Sequence, residues 1–246
     1  MTTSYWQDGG ENYARSRPTY PEELAKALSE LAPETTHALD VGCGTGQLTL
    51  LLSDHFTQVV GCDVSFDQIQ NTQRRPNMHF CEGGAEALPV PHKSMDLVTA
   101  AQAAHWFDLD AFYKEVFRVL VSDGVLALIT YGVLEVEGKA SKRVNDFYWN
   151  EIHKFWPKGR EHVENGYRDF SFPFEPLRVP KLEIKREWSL DHFCNYLKTW
   201  SAYKRSVDAG EGDLVENLKT DLRDILGEEP IKVSWPISVR AGRLSE

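Results

Sequence analysis

Hydrophobic positions recur in two periods along this chain. Between Pro21 and Leu31 the apolar residues Leu24, Leu28 and Leu31 share one helical face, with proline at the start and Glu22 and Glu23 in the first turn, which predicts an amphipathic helix. Ala38-Leu39-Asp40-Val41 is a short buried-strand pattern that runs into Gly42-Cys43-Gly44-Thr45-Gly46 and then a leucine-rich run to Leu52. Strand, glycine loop and helix follow in that order. The unit repeats: Val59-Val60-Gly61-Cys62 predicts a second strand ending at Asp63, and Ser65 with Gln68 three residues later predicts a capping box for the next helix. Further strands are predicted over 78–81, 95–101 and 125–131, the last preceded by a helix carrying Phe112, Val116, Val119 and Leu120 and ending before Gly124. Strands alternating with helices predict an α/β fold around a parallel sheet.

After Gly132 the pattern changes. Residues 146–156 are aromatic-rich and predict a helix, while 165–180 holds Pro173, Pro176 and Pro180, which break regular structure. We read 135–180 as a cap inserted into the domain. Strands are then predicted over 181–188 and 231–239, with helices over 190–203 and 214–226 between them. The length of 246 residues fits one α/β domain with a single core, 1–246.

Charge narrows the partners. A formal net charge of −10 repels a long polyanion, and the basic concentrations at Lys139, Lys142 and Arg143, then Lys154, Lys158 and Arg160, are interrupted by polar or aromatic residues. No nucleic-acid partner is expected. With no apolar run of about 18 residues and no signal-like N-terminus, neither a membrane span nor secretion is expected, and the cytoplasm is the predicted compartment. Cys43, Cys62, Cys81 and Cys194 form no C-x-x-C pair, so no metal site is expected.

The glycine loop carries the chemistry. Glycines between a strand and a helix let a ligand approach the backbone closely, and the helix start offers unpaired N–H groups. A dinucleotide fingerprint would be G-x-G-x-x-G, yet Gln47 stands where its third glycine belongs; the spacing here is G-x-G-x-G. Asp40 precedes it, a carboxylate expected at the mouth of the site that favours a cationic ligand over a pyrophosphate. Asp63 closes the second strand, where an acid can accept both hydroxyl hydrogens of a ribose.

These residues resemble the class I S-adenosylmethionine-dependent methyltransferases, in their small-molecule group. The resemblance spans roughly residues 6–131. It rests on Leu39-Asp40-Val41-Gly42-Cys43-Gly44-Thr45-Gly46, then Asp63, then Gly84-Ala85-Glu86-Ala87-Leu88-Pro89, and then Met95-Asp96-Leu97-Val98. Tyr13-Ala14-Arg15-Ser16-Arg17-Pro18-Thr19-Tyr20-Pro21 and Ala101-Gln102-Ala103-Ala104-His105-Trp106-Phe107 are similar to the branch containing the fungal trans-aconitate and cantharidin methyltransferases. The resemblance implies a Rossmann-like, seven-stranded, mostly parallel sheet with helices on both faces and an antiparallel last strand. It also implies S-adenosylmethionine as cofactor and a lid made by residues 1–20 and the late insertion.

Carried over by position, it places Asp40 at the methionine ammonium, Gly42, Gly44 and Gly46 at the cofactor backbone, and Asp63 at the ribose, with Val64 also among the cofactor-binding residues. Ala85 and Glu86 fall on the adenine side, Gln102 at the methionine end, and Tyr13 and Arg17 over the methionine moiety, Arg17 facing its carboxylate. The family often has Asp where this chain has Gly84. His105 falls beside the transferable methyl, as a hydrogen-bond donor to the substrate or as a base for a protonated acceptor. Trp106, Tyr131, Trp200 and Tyr203 are candidates for an aromatic wall around the acceptor. The expected reaction is methylation of a small molecule, on a carboxylate oxygen of an organic acid, by a monomer or homodimer. Rival readings are a nicotinamide oxidoreductase, which the glycine spacing and Asp40 disfavour, a cofactor-binding regulator without turnover, and a methyltransferase acting on a protein.

Overall fold

The computed structural model describes residues 18–244, and the elements within them follow the predicted alternation. Helix α1 (Glu22–Leu31) buries Leu24 and Leu28. β1 (His37–Val41) leads through the glycine loop into α2 (Gln47–Leu52). β2 (Gln58–Asp63), α3 (Phe66–Gln70), β3 (Met78–Glu82), β4 (Met95–Ala101), α4 (Leu109–Val119) and β5 (Leu120–Tyr131) complete the first half. β5 begins earlier than the hydrophobic run suggested. Its start at Leu120 pairs with Met95 before the register shifts, so the polar Ser122 and Asp123 are carried in the strand.

The sheet runs in the order β3-β2-β1-β4-β5-β9, where β9 (Ile231–Arg243) is the final strand. β1 to β5 pair in parallel, and β9 lies antiparallel to β5 from Val125–Arg243 to Tyr131–Ile237. β8 (Leu182–Trp188) pairs along the other edge of β9, and β6 (Glu135–Val136) and β7 (Glu175–Leu177) add two short antiparallel segments to the same strand. Seven longer strands therefore form the mostly parallel α/β sheet with one reversed strand. β7 runs through Pro176 inside a stretch expected to be irregular, at the margin of the sheet where a missing N–H is tolerated. The strand order reverses direction between β1 and β4, and in open α/β sheets that switch point is where a crevice opens at the strand ends.

Both faces are covered. Leu24, Leu28, Leu48, Leu52, Ala127, Ile129 and Trp235 belong to the cluster on one side, and Leu39, Val41, Val98, Phe112, Val116, Leu126 and Leu128 to the other. Val125 to Ile129 are fully buried in succession because a central parallel strand has no solvent face. Asp96 ties the sheet's bottom edge, its Oδ2 accepting the backbone N–H groups of Thr36 (3.1 Å) and His37 (2.8 Å).

The capping box expected at α3 forms only in part. Ser65 accepts from Gln68 N at 3.4 Å, but the Ser65 N–H turns to Asp63 instead of the Gln68 side chain. The helix expected over 146–156 is an α-turn, α5 (Ser141–Asp146), continued by a π-helical turn (Phe147–Ile152) and a 3-10 turn (His153–Phe155). The wider turn buries Phe147, Tyr148 and Ile152 together. After α6 (Arg160–Glu164), the helix expected over 190–203 divides into α7 (Leu190–Lys198) and α8 (Ser201–Asp208). Trp200 adopts an extended backbone at the break, and its ring packs edge-on against Tyr148 and Tyr196 and against Trp156. Aromatic packing there overrides helix continuity. α9 (Leu214–Leu226) matches its predicted span.

Candidate active site

The crevice at the switch point is built on three left-handed glycines, Gly42 (φ 67°), Gly44 (φ 56°) and Gly46 (φ 78°). Space enforces the first as well as conformation: a Cβ on Gly42 would stand 2.6 Å from Ala103 Cβ and 3.4 Å from Phe107. The loop is thus packed directly against the segment that follows β4. Gly42 N and Cys43 N both donate to Cys62 O, at 2.8 and 3.0 Å, which holds the loop onto the end of β2.

Asp63 is fixed by that loop. Its Oδ2 accepts from Gly44 N at 2.9 Å and its Oδ1 from Ser65 N at 2.9 Å. Each oxygen keeps a lone pair. The neighbouring Val64 side chain is 72% exposed and, with Glu82, Gly83 and Gly84, lines a hollow of about 260 Å³. A Cβ on Gly84 would meet Glu86 Oε2 at 3.3 Å, so the Glu86 carboxylate reaches the place an acidic side chain at 84 would occupy. Glu86 Oε1 also accepts from Asp108 N at 3.1 Å, and Ala85 is buried. The loop bearing these residues is braced from below: Glu115 accepts from Leu88 N, and Arg118 donates to the carbonyls of Leu88 and Val90.

Asp40 corrects the sequence-based placement. It lies beneath the loop instead of at its mouth, 1% exposed, its two oxygens accepting from Thr49 Oγ1 (2.7 Å) and Thr99 Oγ1 (2.9 Å). Burial dominates over those hydrogen bonds and raises its pKa to about 6, with a smaller contribution from Asp63. Thr49 belongs to the first turn of α2 and Thr99 to β4, so the carboxylate joins loop, helix and sheet. Burial likewise pushes the Cys43 and Cys62 thiols up, which makes them inert neighbours of the loop.

At the end of β4, Gln102 holds a left-handed backbone (φ 54°), rare for a non-glycine residue. Its Nε2 donates to Tyr131 O at 3.0 Å and its Oε1 accepts from Thr130 Oγ1 at 2.8 Å. His105 lies in the 3-10 turn Ala104–Trp106 with Nδ1 2.8 Å from the Tyr167 hydroxyl. Burial, then Arg160 and His162, lower its pKa to about 4, so the ring is neutral at physiological pH. Burial also drives the Tyr167 hydroxyl up. Trp106 is 57% exposed beside His105, ring centroids 5.0 Å apart.

The four aromatic residues do not form one wall. Tyr131 and Trp200 belong to the large core cluster, and Tyr203 is half-buried against it, because the sheet margin and the cap need those rings as filling. Trp106 stands with His105 at the crevice. Tyr13 and Arg17 lie outside the described residues. Sequence reasoning missed Thr49, Thr99, Thr130, Tyr167 and Arg160; only the nine-residue spacing from Asp40 to Thr49 carried any local signal. Among the described residues no cluster of His, Cys, Asp or Glu could hold a metal, and no helix is long and apolar enough to cross a membrane.

A Rossmann-like sheet with a glycine loop, a loop-anchored acid at the end of β2 and a hollow beside it is the arrangement of open α/β proteins whose crevice lies at the switch point. The family model described as a methyltransferase domain matches residues 39–128, the span from β1 to β5 that builds this crevice. A protein of Dictyostelium discoideum named as a methyltransferase is 31% identical over 216 residues, 86% of this chain and 82% of its own. The chain belongs to the methyltransferase family. A solved structure from Anaeromyxobacter dehalogenans, described as a type II methyltransferase, superposes with a TM-score of 0.88 at 40% identity, covering 94% of this chain and 99% of that one. A malonyl-[acyl-carrier protein] O-methyltransferase of Dechloromonas aromatica is 33% identical over 136 residues, half of each chain.

Proposed function

We propose that this chain transfers the methyl group of S-adenosylmethionine to an oxygen of a small organic acid. The observation that carries the cofactor assignment is Asp63: backbone N–H groups of the glycine loop and of Ser65 hold it at the strand end with lone pairs free for two hydroxyl hydrogens. Gly42, Gly44 and Gly46 then run along the cofactor's amino acid end, Val64 covers one face of the adenine, and Glu86 takes the part of the acid missing at Gly84. Asp40 acts from beneath, as buried negative charge favouring a cationic ligand above it. Gln102 closes the methionine end. Residues 1–20 and 135–180 serve as lid and cap of one domain, 1–246.

S-Adenosylmethionine supplies a methyl on a sulfonium, a group that leaves by in-line displacement without a covalent enzyme intermediate. The protein's task is alignment, and positioning alone is worth up to about 7–11 kcal/mol in well-oriented models. A carboxylate is already ionised at neutral pH and needs no base. That suits a site whose histidine, with a pKa near 4, is a weak one. The Dechloromonas relative, named as a malonyl-[acyl-carrier protein] O-methyltransferase, supports oxygen as the acceptor atom. Trp106 offers the acceptor an exposed aromatic face.

The test is incubation with methyl-labelled cofactor and a panel of carboxylic acids, phenols and basic proteins, alongside calorimetry with S-adenosylhomocysteine and with NAD. Labelled methyl ester with saturable S-adenosylhomocysteine binding is the expected result. Binding without any labelled product would make the chain a cofactor-binding regulator, and label on protein alone would move the acceptor class.

A further inference from the structure

The cap carries a cation whose contacts are all on one side. Arg160 opens α6, and its Nε donates to the Tyr148 hydroxyl at 3.0 Å and faces Glu164 Oε1 at 3.4 Å. A guanidinium has no acceptor, so the Tyr148 oxygen accepts there and sends its own hydrogen to Glu164 Oε1, 2.5 Å away. His153 Nε2 meets the same carboxylate at 3.2 Å. The guanidinium carbon lies over the Trp156 ring, 4.2 Å from its centre, a cation–π contact that steadies the group from below.

The other edge of the guanidinium is open. No hydrogen bond or ion pair among the described residues uses Nη1 or Nη2 of Arg160. The enclosed side-chain atoms without partners are Trp156 Nε1, Asn165 Oδ1 and Arg243 Nε, so both Nη atoms border open space although the side chain is only 19% exposed. A cation taken that far out of water has lost hydration that a carboxylate can replace with two parallel hydrogen bonds. Glu164 does not serve that edge, being shared among Tyr148, His153 and Arg160 Nε.

α6 borders the crevice. It lies across the end of β5, where the carbonyl oxygens of Val163 and Glu164 come within 3.6 and 3.8 Å of a Cβ placed on Gly132. Tyr167, whose N–H donates to His162 O at 2.8 Å, carries the hydroxyl that meets His105 Nδ1. The Arg160 charge is felt at His105, where it helps keep the ring neutral. Asp40, Asp63 and Glu86 make the cofactor half of the crevice acidic, so Arg160 supplies positive charge on the cap side.

The charge of the reacting group decides what such a cation can usefully hold. As a carboxylate oxygen bonds the methyl carbon, the electron pair of the breaking C–S bond returns to sulfur, and carboxylate and sulfonium become a neutral ester and a thioether. A cation on that carboxylate would stabilise the bound acid more than the transition state and slow the step. A second carboxylate keeps its charge throughout, so an arginine on it strengthens binding without slowing transfer.

We infer that Arg160 grips a second, unmethylated carboxylate of the acceptor through Nη1 and Nη2, so that the favoured substrates are dicarboxylic acids and the product is the half-ester. This rests on the methyl-transfer reading above. Tyr148, Trp156 and Glu164 are positioning residues that aim the guanidinium.

With methyl-labelled cofactor, glutarate should exceed pentanoate, and benzene-1,4-dicarboxylate exceed 4-methylbenzoate, by at least ~10-fold in kcat/KM, chiefly through KM. Monomethyl glutarate should be a correspondingly poor acceptor, so that the half-ester accumulates. In Arg160→Gln the ratio within each pair should fall towards one. Arg160→Lys keeps a charge beside Glu164 but loses the planar fork, and should give an intermediate ratio. Equal turnover within the pairs by the unaltered protein overturns the inference, and so does a loss in both variants shared equally by the two acids of a pair, which a purely structural ion pair would produce. Calorimetry of the same two dicarboxylates, with and without S-adenosylhomocysteine, separates this inference from the reading beneath it. Binding that weakens ~10-fold in Arg160→Gln while no acid is methylated supports the grip and overturns methyl transfer to acids; no binding of either dicarboxylate overturns the grip.

Discussion

Replacing Asp40 with asparagine should change how stability depends on pH. In the folded protein the Asp40 carboxyl titrates at about 6 against an ordinary 3.8, chiefly because it is buried. Between those values the native state holds a proton that the unfolded chain has released. The contribution of Asp40 to stability is therefore full below about 3.8 and is lost as pH rises through about 6. A gap of roughly two pH units at about 1.4 kcal/mol each makes that loss about 3 kcal/mol. Asp40→Asn keeps the shape and one acceptor for Thr49 or Thr99 but does not titrate. Urea unfolding in steps from pH 4.5 to 7.5 measures both proteins, and the wild-type stability minus the variant's should fall by most of that amount across the series. The fixed cost of a changed hydrogen bond cancels in the trend. A difference that stays level, or rises with pH, refutes the account of a carboxylate that burial keeps from ionising. Saturating S-adenosylhomocysteine, whose ammonium favours the ionised form, should flatten the slope.

Gly42→Ala combines a left-handed backbone with a Cβ 2.6 Å from Ala103; thermal unfolding should show a loss of about 2–4 kcal/mol, and calorimetry a loss of cofactor binding. Asp63→Asn turns an NH2 towards one of the two backbone N–H groups it now accepts, so thermal unfolding should show a loss of about 1–3 kcal/mol and calorimetry a weakening of S-adenosylhomocysteine by roughly 10-fold or more. Asp96→Ala removes the charged acceptor shared by the N–H groups of Thr36 and His37 and should cost about 1–3 kcal/mol in urea unfolding with the denaturant slope unchanged.

How much was legible in the sequence varied with the range of the interaction. Local periodicity located β1 to β5 and α9, because strand and helix patterns repeat over a few residues and need no distant partner. The glycine spacing located the crevice for a similar reason: left-handed turns at 42, 44 and 46 are written in the residue type. Where packing between distant segments decided, the pattern misled. Trp200 broke a helix because Tyr148, Trp156 and Tyr196 receive its ring, and Tyr131 left the proposed aromatic wall for the core.

The chain's own order of residues determined an alternating α/β sheet, a G-x-G-x-G turn between β1 and α2, and an acid at the end of β2. Only the tertiary structure decided that Asp40 sits under the loop, held by threonines 9 and 59 residues away, and that His105 is tied to Tyr167 across 62 residues. The reason is physical: burial and hydrogen-bond direction belong to the assembled environment of a group, and a side chain's charge and tautomer follow from that environment.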